Sequence, residues 1–114
     1  MEEKIRLTLL YDFYSELLTG HQREILADYI EEDLTVSEIA AEHEISRQAA
    51  SDMIKRSRKI LEDYENKLKL VDKFLRIRVQ VEDIRRITDS FRNDIPGEFE
   101  DSLDSFYNAV LEDL

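Results

Sequence analysis

The chain has 114 residues, of which 38% are charged and 42% hydrophobic, with a formal net charge of -11 and no cysteine. That length fits one ordinary domain with an appended element; the apolar share is too high for a disordered chain, and the missing thiols exclude a disulfide framework or a thiolate metal site. No apolar run approaches the roughly 20 residues that span a bilayer, and the start Met1 to Arg6 lacks the basic and apolar regions of a signal peptide, so a cytoplasmic protein without membrane insertion is expected.

Glycine and proline occur only at Gly20, Pro96 and Gly97, so long helices are expected between them. Leu9, Leu10, Phe13, Tyr14, Leu17 and Leu18 recur at helical spacing and predict a first amphipathic helix ending near Thr19 and Gly20. Thr19 with Gln22 reads as a capping box for a second helix, which buries Ile25, Leu26, Tyr29 and Ile30 and ends around Glu32. Thr35 with Glu38 reads as a second such box, opening a short helix with Val36, Ile39 and Ala40 inward and Ala41 small enough for close packing. The chain then turns at Glu44, Ile45 and Ser46. Ile45 is expected to plug the core, and Ser46 to cap a helix whose apolar face is Ala49, Ala50, Met53, Ile54, Leu61 and Tyr64. Two helices joined this tightly make a helix-turn-helix over about residues 35 to 61.

The second helix of that pair carries the one basic stretch of the chain. Residues 46–61 hold five basic groups and one acidic, giving +4, whereas residues 1–45 come to -9 and residues 62–114 to -6. Gln48, Ser51, Asp52, Lys55, Arg58 and Lys59 follow three- and four-residue spacing opposite the apolar face, and Arg47 and Arg56 flank them. Arg47, Gln48, Ser51, Lys55, Arg56, Arg58 and Lys59 are therefore the candidate nucleic-acid contacts. Their competing reading is a solvated helix face. The acidic flanks would repel a long polyanion, so any such site is local.

Farther on, the apolar stripe of this helix fades after Leu68, and another begins at Leu70. Leu70, Phe74, Ile77, Val81, Ile84, Phe91 and Ile95 advance by alternating steps of four and three, with Thr88 as the interruption. The phase therefore shifts between Leu68 and Leu70, dividing the chain into a helical domain at 1–68 and a helical extension at 69–114. Ile77, Val79 and Val81 also alternate with Arg78 and Gln80 as a strand would, but no second strand candidate exists to pair with them. After a break at Asp94 to Gly97, Phe99, Leu103, Phe106, Tyr107, Val110 and Leu111 predict a last acidic helix that could fold back on the seam. Leu70, Phe74, Ile77, Val81, Ile84 and Phe91 form the expected dimer or partner seam, and a homodimer through residues 70–114 is the expected assembly.

Leu9 to Leu70 resembles the YlxM-type proteins associated with the signal recognition particle, most strongly at Gln22-Arg23-Glu24, Glu38-Ile39-Ala40, Ile45-Ser46-Arg47-Gln48-Ala49 and Ile54-Lys55-Arg56. The resemblance implies an all-α fold with a helix-turn-helix domain similar to region 4 of bacterial sigma factors, followed by a long helical C-terminal extension. It also implies a gene beside that of the particle's GTPase and a regulatory role, with the particle's RNA or GTPase as partner. Ala50, Ser51 and Met53 stand where the family pattern has Val, Tyr and Asn, and Lys69 where it often has a helix-ending glycine.

Chemistry of its own is not expected. His21 and His43 are the only histidines, and Glu42, His43 and Glu44 are consecutive, so on a helix they diverge and should not converge on a metal. Neither a glycine-rich phosphate loop nor an activated nucleophile is legible, and no cofactor or small-molecule substrate is implied. Three roles follow in order of preference: an accessory protein of the particle, a DNA-binding regulator, and a protein adaptor acting through the tail.

Overall fold

A computed structural model describes residues 2–112 and contains six α-helices and no strand among them. They are α1 Glu3–Tyr14, α2 Gly20–Ile30, α3 Val36–Glu42, α4 Arg47–Leu68, α5 Leu70–Asp89 and α6 Gly97–Leu111, with short 3-10 turns at Ser15–Leu17 and Arg92–Asp94. The fold is all-α. The chain divides into two compact units, Met1–Val71 and Asp72–Leu114, so α5 begins in the first and continues in the second. Residues 77–81, whose alternation also suited a strand, lie inside α5.

Caps set the starts in the first unit. Thr19 Oγ1 accepts from the Gln22 amide at 3.2 Å while Gln22 Oε1 accepts from the Thr19 amide at 3.0 Å, and Thr35 and Glu38 do the same for α3 at 3.1 and 3.0 Å. Ser46 Oγ accepts from the Ala49 amide at 3.0 Å and opens α4. Between α3 and α4, Glu44 takes a positive φ of 55°, which lets the chain reverse within four residues.

The core of this unit departs from the sequence expectation in detail. Helix α1 ends at Tyr14, and its buried line is Leu7, Leu10 and Tyr14, continued by Leu18 beyond the 3-10 turn. Phe13 is exposed, about 100° around α1 from the buried Tyr14, and Leu17 is exposed because the tighter turn at residues 15–17 rotates the chain before Leu18 points inward. Under α4, Ile25, Ile39, Ala40 and Ala50 form a closed cluster on which Tyr29, Leu34, Val36, Ile45, Met53 and Ile54 pack. Ile45 is the expected plug. Ala49 is exposed, since the first turn of α4 reaches the cluster through Ala50. The buried line of α4 continues through Ser57, Leu61 and Glu65, two of which are polar and escaped the apolar count.

Lys69 has φ 57° and ψ 28°, a left-handed residue that breaks the helix where the stripe changes phase. A buried acid holds this corner. Glu65 Oε1 accepts from the Tyr14 hydroxyl at 2.6 Å and from the Val71 amide at 3.0 Å, and the Tyr14 oxygen accepts from the Leu70 amide at 3.2 Å. Two orphan amides of the new helix are thus satisfied by side chains six and fifty-six residues earlier.

In the second unit α5 and α6 form an antiparallel hairpin. Val81, Tyr107 and Leu111 are buried together, with Leu103 and Val110 against them. Near the connecting turn Arg92 bonds to Asp104 at 2.6 and 3.1 Å, to Glu100 at 2.9 Å and to Asp89 at 2.8 Å. Thr88, the interruption of the seam, accepts the Tyr107 hydroxyl at 2.8 Å, so a polar residue stands there to satisfy a buried phenol.

Candidate nucleic-acid interface

Helix α4 owes its orientation to the line Ala50, Ile54, Ser57, Leu61 and Glu65, which is turned into the first unit. Opposite it, at the same alternating steps, lie Gln48, Asp52, Lys55 and Lys59. Arg47, Lys55 and Arg56 are exposed and have no carboxylate in ion-pair range among the described residues. Lys59 is exposed with a weak pair to Asp63 at 3.5 Å, from which its ammonium can swing free. From Arg47 to Lys59 the helix rises roughly 18 Å, about half a turn of duplex.

The remaining candidates are placed differently. Arg58 lies only about 60° around the helix from Leu61, and its guanidinium pairs with Glu3 of α1. It faces the neighbouring helix, not solvent, so its first role is to tie α1 to α4. Arg6 does likewise from the other side, holding Glu62 in a two-pronged pair at 2.9 and 2.8 Å that keeps the Glu62 carboxyl below its ordinary range. Gln48 donates to Asp52 at 2.9 Å, which pre-sets its amide at the helix surface. Ser51 is half-buried and lines a shallow groove with Val36, Arg47 and Gln48, where the starts of α3 and α4 meet. Gln22, Ala49, Asp52, Met53 and Arg56 line a second groove beside it. Gln22 was legible only as a cap, because its distance in sequence hides its place next to Arg56.

Among the seam residues, Val81 is buried against α6 and Phe74 is half-buried, whereas Leu70, Ile77, Ile84 and Phe91 are exposed. The histidine expectation also needs correction. Asp28, from α2, joins Glu42 and His43 with ligand atoms all within 4.8 Å of one another, and Glu44 is not among them. The consecutive Glu42 and His43 converge because His43 stands at the C-cap, past the last helical residue, and a neighbouring helix supplies the third group. His43 Nε2 and Asp28 Oδ2 stand 2.7 Å apart, and the rings of His21 and His43 lie 5.6 Å apart, so the cluster clasps the end of α3 to α2.

An exposed basic helix start, reached through a short helix and a four-residue turn, is the arrangement by which helix-turn-helix domains meet nucleic acid. Residues 1–96 match the UPF0122 family, described as "Putative helix-turn-helix protein, YlxM / p13 like". The chain belongs to the UPF0122 family. A UPF0122 protein of Clostridium kluyveri is 41% identical over 114 residues, all of both chains. One of Anoxybacillus flavithermus is 50% identical over 74 residues, 65% of this chain and 67% of its own, and one of Shouchella clausii is 41% identical over 86 residues, 75% and 79% respectively. The UPF0122 match ends before α6, yet the clostridial relative extends through it. Membership implies a helix-turn-helix protein that binds nucleic acid. No described helix is long and apolar enough to cross a membrane.

Proposed function

We propose that this UPF0122 protein is an accessory protein of the signal recognition particle that grips structured RNA through the exposed start of α4, and that it catalyses nothing by itself. The observation that carries the reading is the set of exposed cations Arg47, Lys55, Arg56 and Lys59 on the one stretch of the chain with net positive charge. The particle itself is suggested by the YlxM resemblance of residues 9 to 70. Four cations limit the polyanion term: log affinity against log salt falls with a slope no steeper than roughly -3 to -4. The acidic remainder of the chain weakens binding to free nucleic acid, so the protein binds best where a partner already presents the RNA.

Gel shifts with the particle RNA and with duplex DNA across a salt series test this, beside recovery of bound partners from cytosol with and without nuclease. Particle RNA or GTPase recovered with the protein supports the reading, whereas DNA alone supports the second one. That second reading is a DNA-binding regulator, and it is favoured by Gln48 and Ser51, which lie at the groove-entering end of α4 where base edges are read. GTP hydrolysis by the purified chain would overturn the non-catalytic part.

A further inference from the structure

The hairpin of the second unit has two unlike sides. In an antiparallel pair of helices the same rotational offset from the line of contact falls on the same side of both. Along the stretch of α5 that α6 covers, offsets of about -40° to -120° from Val81 select Ile77, Gln80, Ile84 and Ile87, with Phe91 just past the helix end; on α6 the same offsets from Tyr107 select Phe99, Leu103, Phe106 and Val110. Leu103 and Val110 are half-buried against the hairpin core; the others are exposed, and the large apolar ones among them, Ile77, Ile84, Ile87, Phe91, Phe99 and Phe106, keep between 43% and 58% of their surface in solvent. None of the nine carries a charge, in a chain where 38% of residues do. The other side is lined by Arg78, Glu82, Arg85, Arg86, Asp89 and Glu112.

We propose that this uncharged face of the α5–α6 hairpin pairs with the same face of a second copy, closing a four-helix bundle. Three features select a second copy over a foreign partner. Half of the surface of six such side chains is on the order of 500 Å² per copy and about 1,000 Å² for the pair, the threshold a stable interface clears. Two copies at -11 each repel, so they can meet only over a face that adds no charge, whereas a basic partner would be met by carboxylates. The hairpin core is also thin, with three buried side chains among the described residues, and two hairpins stacked face to face bury the lines that one leaves open.

Sedimentation velocity of the full chain tests the pairing, with Ile84→Glu and Phe106→Glu as variants. The expected result is a micromolar dimer of about twice the 13.5 kDa chain mass and a dissociation constant raised at least about 100-fold by either charge. Because the chain has no cysteine, Ile84→Cys and Arg86→Cys give a second measurement that needs no disruptive substitution. The thiol at position 84 should react slowly with an aqueous thiol reagent under dimer-forming conditions and fast on dilution, and the one at 86 fast throughout. A wild-type chain that remains monomeric at these concentrations overturns the proposal, as does a dimer indifferent to both charges or a position 84 that reacts fast in the dimer.

Discussion

At the scale of single residues, the buried Glu65 carboxylate decides where one helix ends and the next begins. Its oxygen holds the Tyr14 hydroxyl and the Val71 amide together, in a site with little water to replace either partner. Burial, reinforced by the neighbouring carboxylate, pushes the Tyr14 hydroxyl above its ordinary range, so it stays a donor at neutral pH. Tyr14→Phe keeps the ring and removes the hydroxyl, which should cost about 1–2 kcal/mol; Glu65→Ala strands both the hydroxyl and the amide and should cost about 3 kcal/mol. Urea denaturation followed by circular dichroism reads both. Ser57 is the opposite case, a buried hydroxyl with no hydrogen-bond partner among the described residues. Ser57→Ala removes that unsatisfied group and improves helix propensity, so it should raise stability by roughly 0.5–1 kcal/mol in the same assay.

Single helices divide labour among like residues, and α4 separates cations that grip a ligand from cations that hold the fold. Lys55→Ala with Arg56→Ala should flatten the salt slope by about 1–2 and weaken all sequences alike. Arg58→Ala should leave the slope nearly unchanged and instead loosen α1, seen as a lower melting temperature, because its partner is Glu3. Gel shifts and thermal melts on the double variant and on Arg58→Ala separate the roles. Between α1 and α4 the Arg6–Glu62 pair also makes stability depend on pH. Glu62 titrates below its unfolded value, so its contribution is complete above about pH 4.5 and is lost as the pH falls through the depressed folded value. Discounted for partial exposure, that contribution is roughly 0.5–1 kcal/mol. In Glu62→Gln the acid side of the stability curve should flatten by that amount, measured by urea midpoints between neutral pH and pH 3.

For the whole molecule, pairing through the second unit would give each particle two basic helices, and two weak grips on one RNA act as a single stronger one. The dimer should then bind with a salt slope up to twice that of a monomeric Ile84→Glu variant, provided both helices reach phosphates of the same molecule. Equal slopes for dimer and monomer would mean that only one helix engages at a time. This measurement is separate from sedimentation, which reports pairing without any RNA.

Features made within a few residues of one another were legible in the amino-acid order: both capping boxes, the Ser46 cap, the helix-turn-helix spacing and the phase break that Lys69 accomplishes with a left-handed backbone. Their partners are three or four positions apart, so no knowledge of the rest of the chain is needed to see them. Periodicity likewise marked the outer face of α4 and the seam of α5. Tertiary structure alone decided which neighbour each face meets. Arg58 looked as free as Lys55 until α1, far away in sequence, set Glu3 against it; His43 looked isolated until α2 brought Asp28 to it. The single apolar seam of α5 proved to be two lines, one turned to Tyr107 and Leu111 of α6 and the other left in solvent. A helix repeats its stripe every 3.6 residues whatever packs against it, so a stripe wide enough for two neighbours reads the same as one that has found only its first.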